Sequence, residues 1–150
     1  MGAENVTGSP VSGCSALLCP SAQPDMRHSR IIGVVGGTAQ EPSVSYLDEP
    51  QPVTNELLAL TAPLNPPEVY RFAAECEESK CCHFDGKDCR LVTRIVQILP
   101  AVVDALPTCR IRPECRWFQQ EGRAACLRCP QVITQNFSPT EAVIQAATPA

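Results

Sequence analysis

Eight cysteines fall within 54 consecutive residues, Cys76 to Cys129, of a 150-residue chain that carries ten. A local density of that order marks a scaffold built on disulfides or on metal. Aromatic residues make up only 5% of the chain and tryptophan occurs once, so few large side chains are on hand to fill a core. A domain with so thin a core needs a covalent or metal staple. Which staple forms depends on the compartment. The N-terminal stretch has no basic residue before Arg27 and no apolar run longer than Ala16-Leu17-Leu18. That is not a secretory signal pattern, and no segment approaches the roughly 18 apolar residues of a membrane span. A cytoplasmic chain is expected, with thiols kept reduced, which favours metal over disulfides.

The formal charge of −4 hides an asymmetry. Residues 1–75 hold eight acids against three bases, whereas residues 76–129 hold nine bases against seven acids. Arginines in the cysteine-rich half can offset an anionic thiolate centre. The bases are scattered and the pI is acidic, so no nucleic-acid footprint is expected. Protein partners are.

Residues 1–29 are rich in Ser, Pro and Gly and read as a disordered tail holding Cys14 and Cys19 as free thiols. A single domain is expected over 30–148, strand-rich to residue 65, cysteine-rich and helical over 66–130, with a C-terminal strand or helix over 131–148. Within it, Arg30–Gly37 reads as a buried strand ended by a turn at Gly36-Gly37, and Ser43–Leu47 alternates like a second. Gln51–Ala62 fits either a strand or a helix. Asn65-Pro66-Pro67-Glu68 is a helix-start pattern, and Val69, Phe72, Ala73 and Cys76 then follow at helical spacing. A second helix is expected from near Asp88, carrying Leu91, Val92, Ile95, Ile98 and Leu99, with a short continuation over 101–106. A third runs from Pro113 through Trp117 and Phe118 to a stop at Gly122. Ser138 opens a capping box for a last short helix. The fold class implied is α+β, a small metal-stapled domain.

The stronger cysteine pattern is Cys109-x5-Cys115-x10-Cys126-x2-Cys129. The CxxC pair converges on one centre from a tight turn, and Cys115 lies at a helix start, where free amides favour a thiolate. Pro130, directly after Cys129, resembles the end of the bacterial ferredoxin run, whose last ligand precedes a proline. The spacing departs from that run, so the resemblance is confined to two residues and implies no fold. Structural zinc sites pair two short knuckles, and only one is present. The pattern therefore points to an iron–sulfur cluster of the 4Fe–4S type on Cys109, Cys115, Cys126 and Cys129, with zinc as the alternative. Cys76, Cys81 and Cys89 form a second group, with Cys82 or His83 as its fourth ligand. Adjacent Cys81 and Cys82 diverge, so one of them is spare.

With two histidines in the chain and no HExxH or paired-carboxylate motif, no catalytic constellation can be assembled. The expected function is an iron–sulfur protein in electron transfer or accessory to a redox or maturation system. A zinc-stapled adaptor is the alternative, and a secreted disulfide scaffold a weaker one.

Overall fold

The structure, a computed structural model of the chain, describes residues 17–38, 41–132 and 139–149. Cys14 and Ser138 lie outside the described residues. Four strands, β1 (Leu18–Ala22), β2 (Arg30–Gly37), β3 (Pro42–Pro52) and β4 (Tyr70–Glu75), form one antiparallel sheet in the order β1-β4-β2-β3. The helices are short: α1 (Asn55–Ala59), α2 (Pro66–Val69), α3 (Arg90–Ile98), α4 (Arg116–Glu121), α5 (Arg123–Cys126) and α6 (Glu141–Ala147). The class is α+β, as the sequence implies.

Both faces of the sheet are covered. Ile31, Phe72, Ala74 and Ala22 are buried under Leu57 and Leu58 of α1, with Met26, Leu47 and Tyr70 around them. Ile32 and Ala73 are buried instead against Val92, Ile95 and Leu99 of the α3 region and Trp117 of α4. The two sets alternate along β2 and β4, as the period of two in a strand requires.

Two expectations are corrected here. The residues from Val69 to Cys76 do not continue the helix begun at Asn65. The capping box forms, with Asn65 N–H donating to Glu68 Oε2 at 2.9 Å, yet α2 lasts one turn and the chain extends into β4. Tyr70, Phe72 and Ala74 also alternate, and aromatic residues favour strands. Pairing on both sides, with β1 and β2, satisfies the backbone of this central strand and buries Arg71 to Ala74 without a break. A helical reading of the same letters leaves that burial unexplained. Second, the tail expected over 1–29 gives way to β1 at Leu18. This strand holds Pro20, which an edge position tolerates because one side of the strand needs no amide donor. Cys19 pairs with Ala74, and Cys76 N–H donates to Leu17 O at 2.9 Å, so the strand is fastened at its start.

Other differences are local. Gln51–Ala62 divides at Pro52 into the end of β3 and helix α1, which Thr54 caps through its side chain. No helix forms over 101–106, where Pro100 and Pro107 bracket the segment. The last helix is capped by Thr140, whose Oγ1 accepts from Val143 N–H at 3.2 Å. Gly122 ends α4 with φ +67°, a conformation that favours glycine.

Candidate metal centres

Nine cysteines are described and all nine are free thiols. Eight of them gather in two quartets, each lining a cavity that also touches Trp117. Cys109, Cys115, Cys126 and Cys129 line one cavity, of about 20 Å³. Cys19, Cys76, Cys81 and Cys89 line a second, of about 460 Å³, with Cys82 and His83 also on its wall. Trp117 is the residue common to both walls.

The local structure explains how each sulfur arrives. In the first quartet, Cys115 is the N-cap of α4, with no side-chain cap hydrogen bond, and the nearby amides of Phe118 and Trp117 act on its thiol only as a downward pull on its pKa. It also bridges to Leu18, which brings the start of α4 onto the edge of the sheet. Cys109 precedes the tight turn at Arg112–Glu114, Cys126 ends α5, and Cys129 opens the turn at Cys129–Gln131. In the second quartet, Cys89 is the N-cap of α3, again with no side-chain cap hydrogen bond. Its backbone is clamped to α4 by Gln120, whose side chain accepts from Cys89 N–H at 2.8 Å and donates to Cys89 O at 2.9 Å. Cys76 follows β4, and Cys81 follows the turn at Glu78–Lys80.

Electrostatics separates the same two groups. Burial pushes Cys19 up to about 12, and the charges of Cys89, Cys76 and Cys81 push the same way. Burial likewise raises Cys115 to about 12, reinforced by Cys129 and Cys109. Cys89, Cys109 and Cys126 shift upward too, burial first in each case. A helix start favours a thiolate, as expected for Cys115, and Cys89 occupies the same position on α3. The amides do pull downward there, but desolvation outweighs them, because both sulfurs are covered by core side chains. A coordinated cation reverses that balance, since it deprotonates a bound thiol outright.

Each quartet has a buried arginine on one of its sulfurs. Arg71, 0% exposed, donates from Nη2 to Cys129 Sγ at 3.1 Å and from Nη1 to Cys129 O at 2.7 Å. The same guanidinium donates from Nε and Nη2 to Pro20 O at 3.1 and 2.7 Å. Burial alone opposes its charge, but Cys129 and Tyr46 prevail and the net shift is upward. Burial also raises Tyr46, with Cys129 as the next cause. In the second quartet Arg116, 8% exposed, donates from Nε to Cys76 Sγ at 3.1 Å and from Nη2 to Glu78 Oε2 at 3.0 Å, with Phe84 stacked beneath it at 5.3 Å.

Cys82 is exposed. His83 is engaged elsewhere, its Nδ1 accepting from Arg94 Nη2 at 2.7 Å, and burial together with Arg94 lowers its affinity for a proton. Cys19, assigned to a tail by its composition, is the residue that sequence reasoning missed. One signal was available: Cys19-Pro20 repeats Cys129-Pro130, and Arg71 binds the carbonyl of one pair's proline and of the other's cysteine.

Whether these residues suit a metal centre can be tested on three observations. Among the described residues, no three His, Cys, Asp or Glu side chains are grouped tightly enough to hold a metal ion as they stand. A tetrahedral zinc with Zn–S bonds of about 2.3 Å gathers its sulfurs to roughly 3.8 Å of one another, and that arrangement is not preformed. The donor set is all thiolate, which suits iron–sulfur clusters as well as zinc. Finally, Trp117 Nε1 and Arg112 Nε are buried without an acceptor among the described residues, and both residues line the smaller cavity. Buried N–H groups are rarely left unpaired, and the sulfur atoms of a cluster are acceptors. The donor types and the unpaired N–H groups suit a thiolate-bound centre, whereas the sulfurs are not gathered for one as they stand.

The turn leading to Cys89 carries a separate prediction. Asp85 Oδ1 accepts from Asp88 N–H at 2.7 Å and from Lys87 N–H at 3.0 Å, and these bonds hold its carboxyl below the ordinary range. A carboxylate lowered on folding stabilises above its unfolded pKa and loses that effect as pH falls through the folded one. Asp85→Ala is therefore expected to melt below the wild-type protein at neutral pH. The gap should close on acidification past the carboxylate range in thermal melts. A gap that stays constant with pH contradicts this account.

No family model matches the chain, and no curated protein or solved structure matches it significantly. Among the described residues no helix is long and apolar enough to cross a membrane.

Proposed function

We propose that the chain is an iron–sulfur protein of electron transfer, with a cluster held by Cys109, Cys115, Cys126 and Cys129. The observation that carries this reading is the quartet itself: four free thiols from four different turns and caps around one cavity, with Arg71 on one sulfur. Such a cluster supplies a one-electron redox centre whose potential depends on hydrogen bonds to sulfur, net charge and burial. The chain supplies all three. Arg71 donates to Cys129 and offsets negative charge, and the N–H groups of Trp117 and Arg112 are placed to serve sulfur acceptors. Phe118 and Ile111 exclude water from the same wall. The absence of a catalytic constellation favours an electron carrier, or an accessory to a redox or maturation system, over an enzyme. Such a role calls for a protein partner.

A single zinc ion at the same place is the second reading. The volume favours it, since 20 Å³ is room for about one water-sized atom.

Anaerobic purification with visible absorption and electron paramagnetic resonance tests the proposal. Broad thiolate-to-iron absorption that bleaches on reduction is expected, together with its weakening in Cys126→Ala. A colourless protein carrying stoichiometric zinc, unfolding when a chelator removes it, would establish the second reading instead.

A further inference from the structure

Besides Cys82, four cysteines line the larger cavity, and the spacing of cysteines in the sequence does not disclose the fourth. Cys76, Cys81 and Cys89 are close in sequence, but Cys19 comes from β1, 57 residues before Cys76. The strand pairing of β1 with β4 and the bond from Cys76 N–H to Leu17 O carry it to the others. One observation independent of the thiols points to a ligand there. Arg116 is buried to 8% exposure and presents a guanidinium N–H to Cys76 Sγ, an arrangement that repeats Arg71 on Cys129. Trp117, 1% exposed, belongs to the walls of both cavities. The volume of about 460 Å³ is over twenty times that of the neighbouring cavity, so a body of several atoms is accommodated without moving the walls.

We propose that Cys19, Cys76, Cys81 and Cys89 hold a second iron–sulfur cluster in this cavity, and that it exchanges electrons with the first across Trp117. The proposal rests on the reading of the chain as an iron–sulfur protein but uses a different cavity and different residues. In the exchange one electron leaves the reduced cluster and the other cluster gains it, with no bond made or broken. The electron enters from a one-electron donor protein and leaves to an acceptor of the same class. Cys82, exposed on the rim, and His83, engaged by Arg94, are not ligands.

The full chain is reconstituted anaerobically with ferrous iron and sulfide, and iron is counted per chain. The wild-type protein is expected to bind about eight iron atoms, two 4Fe–4S clusters, and Cys19→Ala about four. Cys81→Ala, in a half-buried turn outside the core, is expected to behave as Cys19→Ala does and decides the matter if the latter fails to fold by circular dichroism. Cys82→Ala should keep the wild-type count. After reduction with dithionite, paramagnetic resonance of the wild-type protein should show signals broadened by coupling between two centres, and Cys81→Ala a single sharper one. If Cys81→Ala binds as much iron as the wild-type chain, the second cluster is refuted. If the wild-type chain binds about four iron atoms and loses all of them in Cys126→Ala, this inference fails while the first cluster stands. If those four are lost in Cys81→Ala instead, the second cluster stands and the first fails.

Discussion

Replacing Arg71 with methionine is expected to lower the stability of the fold by about 2–5 kcal/mol, the scale of leaving two or three buried acceptors without their donor. The side chain is wholly buried and its guanidinium fork ties three acceptors, Pro20 O, Cys129 O and Cys129 Sγ. These acceptors belong to β1 and to the turn after α5, which nothing in the sequence between them joins. Methionine has similar length and no donors, so both carbonyls are left buried and unpaired, at roughly 1–3 kcal/mol each. Against a total stability of about 5–15 kcal/mol, the loss is enough to leave a visible unfolded fraction. Arg71→Lys is expected to recover only part, because an ammonium is not a planar fork and cannot span the same acceptors. Urea titration followed by circular dichroism measures both. A methionine variant within about 1 kcal/mol of the wild-type protein would mean that Arg71 does not hold the two segments together.

Trp117→Ala is the second large effect, and comparison with Trp117→Phe gives it meaning. The indole is 1% exposed in a core with few other aromatics, and truncation to alanine is expected to cost about 3–5 kcal/mol. Phenylalanine keeps most of the ring and removes the N–H that lacks an acceptor. In metal-free protein that removal relieves a desolvation cost of roughly 1–3 kcal/mol, so the phenylalanine variant should lie much nearer to wild type. In iron-loaded protein the sign changes. An N–H donated to cluster sulfur stabilises the more negative, reduced state, so its loss should lower the reduction potential. Denaturant titration of the metal-free protein and redox titration of the loaded protein read the two effects separately. A potential that does not move in Trp117→Phe would place the indole N–H away from any cluster.

How far these features could be read from the letters depends on the range of the interaction behind each. Strand β2, helix α3 and the stop at Gly122 are legible because hydrophobic period and turn residues act locally. The quartet at Cys109, Cys115, Cys126 and Cys129 is legible because its residues span one short stretch of chain. Strand β4 is not, because Tyr70 to Glu75 satisfies both periods and the choice is made by the strands on either side, one of them more than 50 residues away. Cys19 fails for the same reason. Its neighbours Pro20 and Ser21 have the composition of a tail, and only pairing with β4 makes a strand of them. Arg71 could not have been singled out either. An arginine between Tyr70 and Phe72 signals nothing by itself, and its role follows from two segments, 51 and 58 residues distant, meeting at its side chain.

The electrostatic picture joins these observations. Both quartets are drier than free thiolates tolerate, and burial raises five of the cysteines. Both are also furnished with a buried guanidinium that donates to one sulfur, an arrangement that favours negative charge on that sulfur. Thiols that merely filled a core would need none of this, since free cysteine packs as a small hydrophobe.

The account depends on sulfur-ligated iron, and the assay closest to that claim is acid-labile sulfide measured beside iron and zinc on anaerobically isolated full-length chain. Inorganic sulfide in about equal amount to iron, with zinc at trace level, is the predicted result for 4Fe–4S centres. Stoichiometric zinc without labile sulfide, or a folded chain with neither metal, would contradict it.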